Sequence, residues 1–172
     1  MAGCLKCHRI GSNEMFPKPS VQRGVPVLRV VLDTSLFVNG LLVREGPPAQ
    51  LLDAWRRRRY LLVVSPAMIA EVRAALDYSW IRLKYHLTAE HVAQMVTLLE
   101  QDALVVPGEG NSAGSIPDDP QDERILACAL EAQADLIVSG DRHLLDLQAY
   151  RGIPVIGVGA FLERLATHQG RE

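Results

Sequence analysis

Short apolar runs alternate along this chain with segments whose apolar residues recur every three or four positions. Val27 to Leu32 is a mostly apolar, β-branched run that stops at Asp33, the pattern of a buried parallel strand. Gly46-Pro47-Pro48 opens a helix with Leu51, Leu52 and Trp55 on one side and Arg56 to Arg59 near its end. Leu61 to Val64 reads as a second buried strand. Ser65-Pro66 is an N-cap and N1 pair, and the helix behind it carries Met68, Ile69, Val72 and Leu76 on one face. Thr88 to Asp102 places Val92, Met95, Val96 and Leu99 at helical spacing, and Leu104 to Val106 is a short strand. Pro107 to Pro117, with three glycines and two serines, is a loop, read as a connection rather than a lid. Pro120 to Ala132 is a helix, Leu136 to Val138 a strand, and His143 to Leu147 a short helix. Pro154 to Ile156 is a strand and Ala160 to Ala166 the closing helix. Strands alternating with helices, and apolar throughout, predict an α/β fold around a central parallel sheet.

Residues 1–26 break this rhythm. Lys6, Arg9, Lys18 and Arg23 face only Glu14, three prolines intervene and no apolar period is present, which predicts a flexible basic extension. Within it, Cys4-Leu-Lys-Cys7-His8 has the spacing of a c-type haem attachment motif or half a zinc site. No export signal and no cytochrome-like helical pattern accompany it, so an incidental motif is the favoured reading. The absence of an apolar leader or a long apolar span predicts a cytoplasmic chain without membrane contact. With 172 residues, one domain is expected. Acids number 20 and bases 18, which excludes a strongly basic nucleic-acid sleeve and an acidic tail protein.

The acids are not spread evenly. Asp33 and Asp141 each follow a predicted strand directly, and sites in open parallel sheets sit at the carboxyl ends of strands. Each has an ordinary reading too: Asp33 starts a turn, and Asp141 caps the helix after it. Asp122 lies within the arc of Ile125, Leu126, Ala129 and Gln133, the helix face that meets the sheet. An acid there must be paired, metal-bound or at the rim. The alternative is a helix start, with Asp119 as N-cap, Pro120 at N1 and Asp122 at N3. Glu71 lies on the flank of its helix and, alone, reads as a solvated residue. Taken together, hard oxygen ligands without nearby His or Cys suit Mg²⁺ or Mn²⁺. Crowded carboxylates repel and need a cation to stay ionised.

These residues carry a pattern that resembles the PIN-domain family, in particular the toxin components of bacterial toxin–antitoxin pairs. The matching stretches are Val31-Leu-Asp-Thr-Ser35, Val64-Ser-Pro-Ala67 running to Glu71, Asp119-Pro-Gln-Asp-Glu-Arg-Ile-Leu126, and Ile137-Val-Ser-Gly-Asp-Arg142. The likeness spans about residues 29 to 165. The resemblance implies a three-layer α/β/α sandwich, a PIN-like nuclease domain at 27–172, and an Mg²⁺- or Mn²⁺-dependent endoribonuclease acting on RNA. It implies Asp33, Glu71, Asp122 and Asp141 as catalytic and metal-binding acids, with Asp119 as an additional metal-site acid. Thr34 and Ser139 match hydroxyl positions that orient the acids. Ser35 stands where the family often has Asn, and Ser139 where Thr is common. Toxin relatives are silenced by an antitoxin protein and often form homodimers; both expectations enter through the resemblance alone.

Arg56, Arg57, Arg58 and Arg59 are candidate RNA-phosphate contacts, although cations in the last turn of a helix also complement its dipole. Two other functions compete with the nuclease. One is a catalytically silent PIN-like binding module. The other is a phosphatase or phosphotransfer domain with Asp33 as nucleophile, disfavoured because Ser35 stands where a second aspartate is needed. Between Asp118 and Asp141 there are seven acids and one base, Arg124. Setting aside the four implied ligands leaves 16 acids against 18 bases, so the near-neutral total conceals an acidic pocket on a mildly basic body.

Overall fold

The computed structural model describes residues 27–109 and 120–168. The basic extension at 1–26, with Cys4, Cys7 and His8, lies outside the described residues, as do Asp119 and the loop residues 110–117.

The elements follow in the order β1 (Arg29–Leu32), α1 (Thr34–Leu42), α2 (Pro47–Arg56), β2 (Leu61–Val64), α3 (Pro66–Leu76), α4 (Ser79–Lys84) and α5 (Ala89–Asp102). They continue with β3 (Leu104–Val105), α6 (Pro120–Glu131), β4 (Leu136–Val138), α7 (Arg142–Asp146), β5 (Ala149–Tyr150), β6 (Ile153–Ile156) and α8 (Val158–His168). The strands form one six-stranded sheet in the order β3-β2-β1-β4-β6-β5. Pairings β1–β2, β1–β4, β2–β3 and β4–β6 are parallel. The central sheet is parallel as expected, and the edge strand β5, which the sequence pattern did not mark, runs antiparallel to β6. The hairpin turn between them holds Arg151 at φ 46° and Gly152 at φ 87°. A chain reversal that tight can only place the next strand antiparallel.

Side chains alternate across the sheet, as strand geometry requires. Val30 and Leu32 of β1 face one way with Leu62, Val64, Leu136 and Val138, under α1, α2, α3, α5 and α8. Val31, Val63, Ile137 and Val155 face the other way, under α6 and Leu144 of α7. The result is the expected α/β/α arrangement with both sheet faces covered. Tyr60 and Phe161 meet edge to face at 5.2 Å, and Phe37 and Trp55 at 5.9 Å. Cys128 is fully buried against the second face as a small core residue. No helix among the described residues is long and apolar enough to cross a membrane.

Two helices escaped the hydrophobic pattern. In α1, residues Thr34, Leu36, Phe37, Val38 and Gly40 are all buried and only Ser35 and Asn39 are exposed, a polar stripe too narrow to mark a period. Gly40 is what lets this helix lie on α2. A Cβ there would stand 2.6 Å from the Pro48 carbonyl oxygen. Helix α4 has the opposite problem: none of its residues is buried, so nothing in it repeats at core spacing.

Candidate active site

Strands β1, β2 and β4 all finish at the carboxyl end of the sheet, and each leads, directly or through a short turn, to a residue that caps a helix. Asp33 follows β1 and caps α1: its Oδ1 accepts from the Ser35 backbone N–H at 3.0 Å. Ser65 follows β2 and caps α3, accepting from Met68 N–H at 3.3 Å. Asp141 stands three residues after the end of β4 and caps α7, accepting from His143 N–H at 2.8 Å. The capping role weighed for Asp141 is therefore real, and Asp33 has one as well. Capping does not exhaust a carboxylate. Its two oxygens offer about four acceptor sites, and the cap takes one of them.

Ser139 joins the two strand-end aspartates. Its hydroxyl is wholly buried and donates to Asp33 Oδ2 at 2.8 Å. The same oxygen accepts from the Asp141 backbone N–H at 2.9 Å. One small side chain thus orients the Asp33 carboxylate and fixes the turn that carries Asp141. Thr34, also buried, does similar work on the other side: its hydroxyl donates to Glu71 Oε2 at 3.2 Å. Both hydroxyls donate to carboxylates.

Glu71 is not a solvated helix residue. Its side chain is only 15% exposed, held between Thr34 on α1 and Arg124 on α6, whose Nη1 donates to Oε1. Asp122, two residues before Arg124, is 5% exposed on the sheet-facing side of α6, beside the buried Ile125 and Leu126. Its predicted placement on the inward face holds. Gln133, expected on the same face, instead follows the helix end, exposed and at φ 50°. The parallel crossover from β3 to β4 puts the first turn of α6 at the carboxyl end of the sheet. That is where Asp33 and Asp141 lie. Asp33, Glu71, Asp122 and Asp141 therefore come from four separate segments to one end of the sheet.

The pairing of Arg124 with Glu71 was not foreseen from the sequence. The arginine's sequence signal was being the single base within an acidic stretch, two positions from the inward-facing Asp122. Among the described residues, no three acidic, histidine or cysteine side chains are disposed as a ready cage for a metal ion. The Arg124 guanidinium supplies the positive charge at Glu71 instead. In chemistry the donor set still suits a hard divalent ion: carboxylate oxygens, two of them on buried aspartates, with hydroxyls that hold rather than compete.

The four arginines lie elsewhere. They precede β2, so they sit at the amino end of the strands, opposite the acids. Arg58 pairs with Asp102 at 2.8 Å, and Arg59 donates to the Leu165 carbonyl oxygen at 2.6 Å. Arg57 pairs with the exposed Asp53 on its own helix, and Arg56 is exposed in the last turn of α2. Arg58 and Arg59 thus join elements of the scaffold.

A second glycine matters here. Gly108, at φ +75°, packs on the cap of α3: a Cβ would lie 2.5 Å from Ser65 Cβ. Glu131 accepts from the Gly108 and Glu109 backbone N–H groups at 2.6 and 3.0 Å, holding the chain there.

Comparison with known proteins agrees with this geometry. The chain is similar to an uncharacterized protein of Methanocaldococcus jannaschii, 23% identical over 121 residues, covering 70% of this chain and 76% of that protein. The PIN domain pattern matches residues 29–143, a span that begins with β1 and ends in α7, taking in all four acids and both orienting hydroxyls. This chain belongs to the PIN-domain family.

Proposed function

We propose that this protein is a divalent-metal-dependent endoribonuclease, the cytoplasmic toxin of a toxin–antitoxin pair. PIN domains are generally nucleases and typically bind divalent metals, which sets the reaction class. The observation that carries the proposal is the set at the carboxyl end of the sheet: Ser139 on Asp33 and Asp141, Thr34 on Glu71, and Asp122 buried in the first turn of α6. Solvated acids would not require buried hydroxyls to fix their direction. Asp33, Asp122, Asp141 and Glu71 would hold Mg²⁺ or Mn²⁺, with Asp119 as a further oxygen donor. When bound, such an ion offsets the negative charge and lowers the pKa of a water poised to attack a phosphodiester. Ser139 keeps the Asp33 carboxylate directed and the Asp141 turn closed, while Thr34 holds Glu71 against the sheet. Arg124 is the exchangeable partner: its guanidinium is 45% exposed, free to leave Glu71 for a phosphate of the substrate.

The decisive measurement is cleavage of single-stranded RNA with Mn²⁺ by the parent protein, Asp33→Asn and Asp122→Asn. The parent cuts and each variant loses activity by a hundredfold or more; equal cleavage by all three would refute the proposal. A second reading, a silent PIN-like binding module, is favoured by the Arg124–Glu71 pair, which neutralises one acid without a metal. Saturable Mn²⁺ binding that weakens in Asp33→Asn separates the two. The antitoxin and a homodimer belong to this proposal as partners and are tested by copurification and sedimentation.

A further inference from the structure

Six large apolar side chains are exposed among the described residues, and three fall within six positions: Tyr78, Trp80 and Leu83. They are 63%, 55% and 77% exposed. Tyr78 caps α4, and α4 itself buries nothing. No acid occurs from Tyr78 to Thr88, whereas Arg82, Lys84 and His86 do. Arg82 is engaged locally, with Asp77 at 3.8 Å and the Leu87 carbonyl at 3.4 Å, which braces the segment. Lys84 extends over two rings at once, its Nζ 5.7 Å from the centre of Trp80 and 5.3 Å from that of Tyr85.

Two occupants suit exposed rings: the apolar face of a protein, or unpaired bases. The chemistry separates them. Protein interfaces are depleted in lysine at their centres. Here a lysine ammonium is held over the rings themselves. Aromatic faces beside lysine on an acid-free segment are the composition of a single-strand binding surface, in which bases stack and cations meet the backbone. Position agrees. Five residues of α3 separate Glu71 from the helix end at Leu76, and α4 begins three residues later. Helix rise and chain extension keep the start of α4 within roughly 18 Å of the Glu71 Cα. A strand cut at the acids has a short way to run to these rings.

We infer that α4 is a stacking platform for single-stranded RNA, with Trp80 and Tyr78 receiving bases and Lys84 meeting the phosphates. This rests on the nuclease proposal for its substrate, but not for its test. The chain has two tryptophans, and Trp55 is buried at 3% exposure, so quenchable emission reports Trp80. The Asp33→Asn protein, without divalent metal, is titrated with a short single-stranded RNA of mixed sequence. Trp80 emission is quenched at saturation, and RNA duplex of the same length quenches it far less. Affinity measured by a label on the RNA falls about 5- to 150-fold in Trp80→Ala and stays near parental in Trp80→Phe. Lys84→Gln lowers the salt slope by roughly one contact. These residues are exposed, so circular dichroism and Trp55 emission remain unchanged and report folding. Unquenched Trp80 in the presence of bound RNA overturns the inference while leaving the nuclease proposal standing. A blue shift of Trp80 with protein concentration, alongside a dimer by sedimentation, also overturns it and makes α4 a contact between copies. Quenching in Asp33→Asn, together with a parent protein that cuts no RNA in Mn²⁺, upholds the platform and removes the nuclease.

Discussion

Replacing Ser139 by alanine removes one oxygen from a site with no exposed surface. Two hydrogen bonds disappear: the one it gives to Asp33 Oδ2 at 2.8 Å and the one it receives from Asp141 N–H at 2.9 Å. The first is charge-assisted, and bonds to charged groups contribute about 1.5–3 kcal/mol. Asp33 retains its Ser35 N–H donor, so its carboxylate is weakened in support and not orphaned. The cavity left by a hydroxyl is smaller than a methyl group and adds little. The expected loss is therefore about 2–3 kcal/mol. For a chain of this size that lowers the thermal midpoint by roughly 5–10 °C and the urea midpoint by about 1 M. A double-mutant cycle with Asp33→Asn isolates the pair, and the two changes should couple by about 1–2 kcal/mol. A Ser139→Ala protein within about 0.5 kcal/mol of the parent, with additive effects, would refute the view that this hydroxyl orients Asp33.

Three further outcomes follow from other contacts. Arg124→Ala frees Glu71, whose ion pair is half exposed on the arginine side and so contributes at most about 1 kcal/mol. Mn²⁺ then binds about two- to fivefold more tightly by calorimetry, and weaker binding would place Arg124 in support of the metal. Gly40→Ala puts a Cβ 2.6 Å from the Pro48 carbonyl, and since backbone must move, chemical denaturation should show a loss of about 1–3 kcal/mol. Burial pushes the Cys128 thiol up to about 12, with Glu131 adding to the effect, and burial also raises Tyr60. The folded state therefore keeps protons that the unfolded state gives up. This stabilisation is complete below the unfolded thiol pKa of about 8.5 and is lost as pH rises through the folded value. Stability should fall across the alkaline range, less steeply in Cys128→Ala; a flat profile contradicts the assignment.

The fold was legible wherever an element has two distinguishable faces or none exposed to solvent. β1, β2 and β4 are apolar because both sides are covered, and α3, α5 and α6 show a stripe because one side is wet. Helix α1 was illegible because its polar face is only Ser35 and Asn39 wide, α4 for want of a buried one, and β5 because two residues carry no pattern. For the site, strand ends and the inward position of Asp122 marked three acids through local geometry alone. Glu71 needed the family likeness, since its inward tilt depends on Thr34 from another element. Arg124 and the α4 rings were hidden for a related reason. Their significance lies in what stands opposite them in space, and no local spacing encodes that. The arginine run from Arg56 to Arg59 shows the converse: the most conspicuous basic cluster ends at the far side of the sheet, where two of its members brace the scaffold.

The bond from Ser139 to Asp33 closes a loop of 106 residues. Pairing β1 with its second neighbour β4, and the serine with the aspartate it directs, is a long-range closure whose entropic cost is met before the contact rewards it. Until β4 inserts beside β1, only part of the acid set is held in place. Joining the acids across such a separation makes their alignment depend on the whole sheet, so any local opening that withdraws β4 from β1 also disperses the acid set.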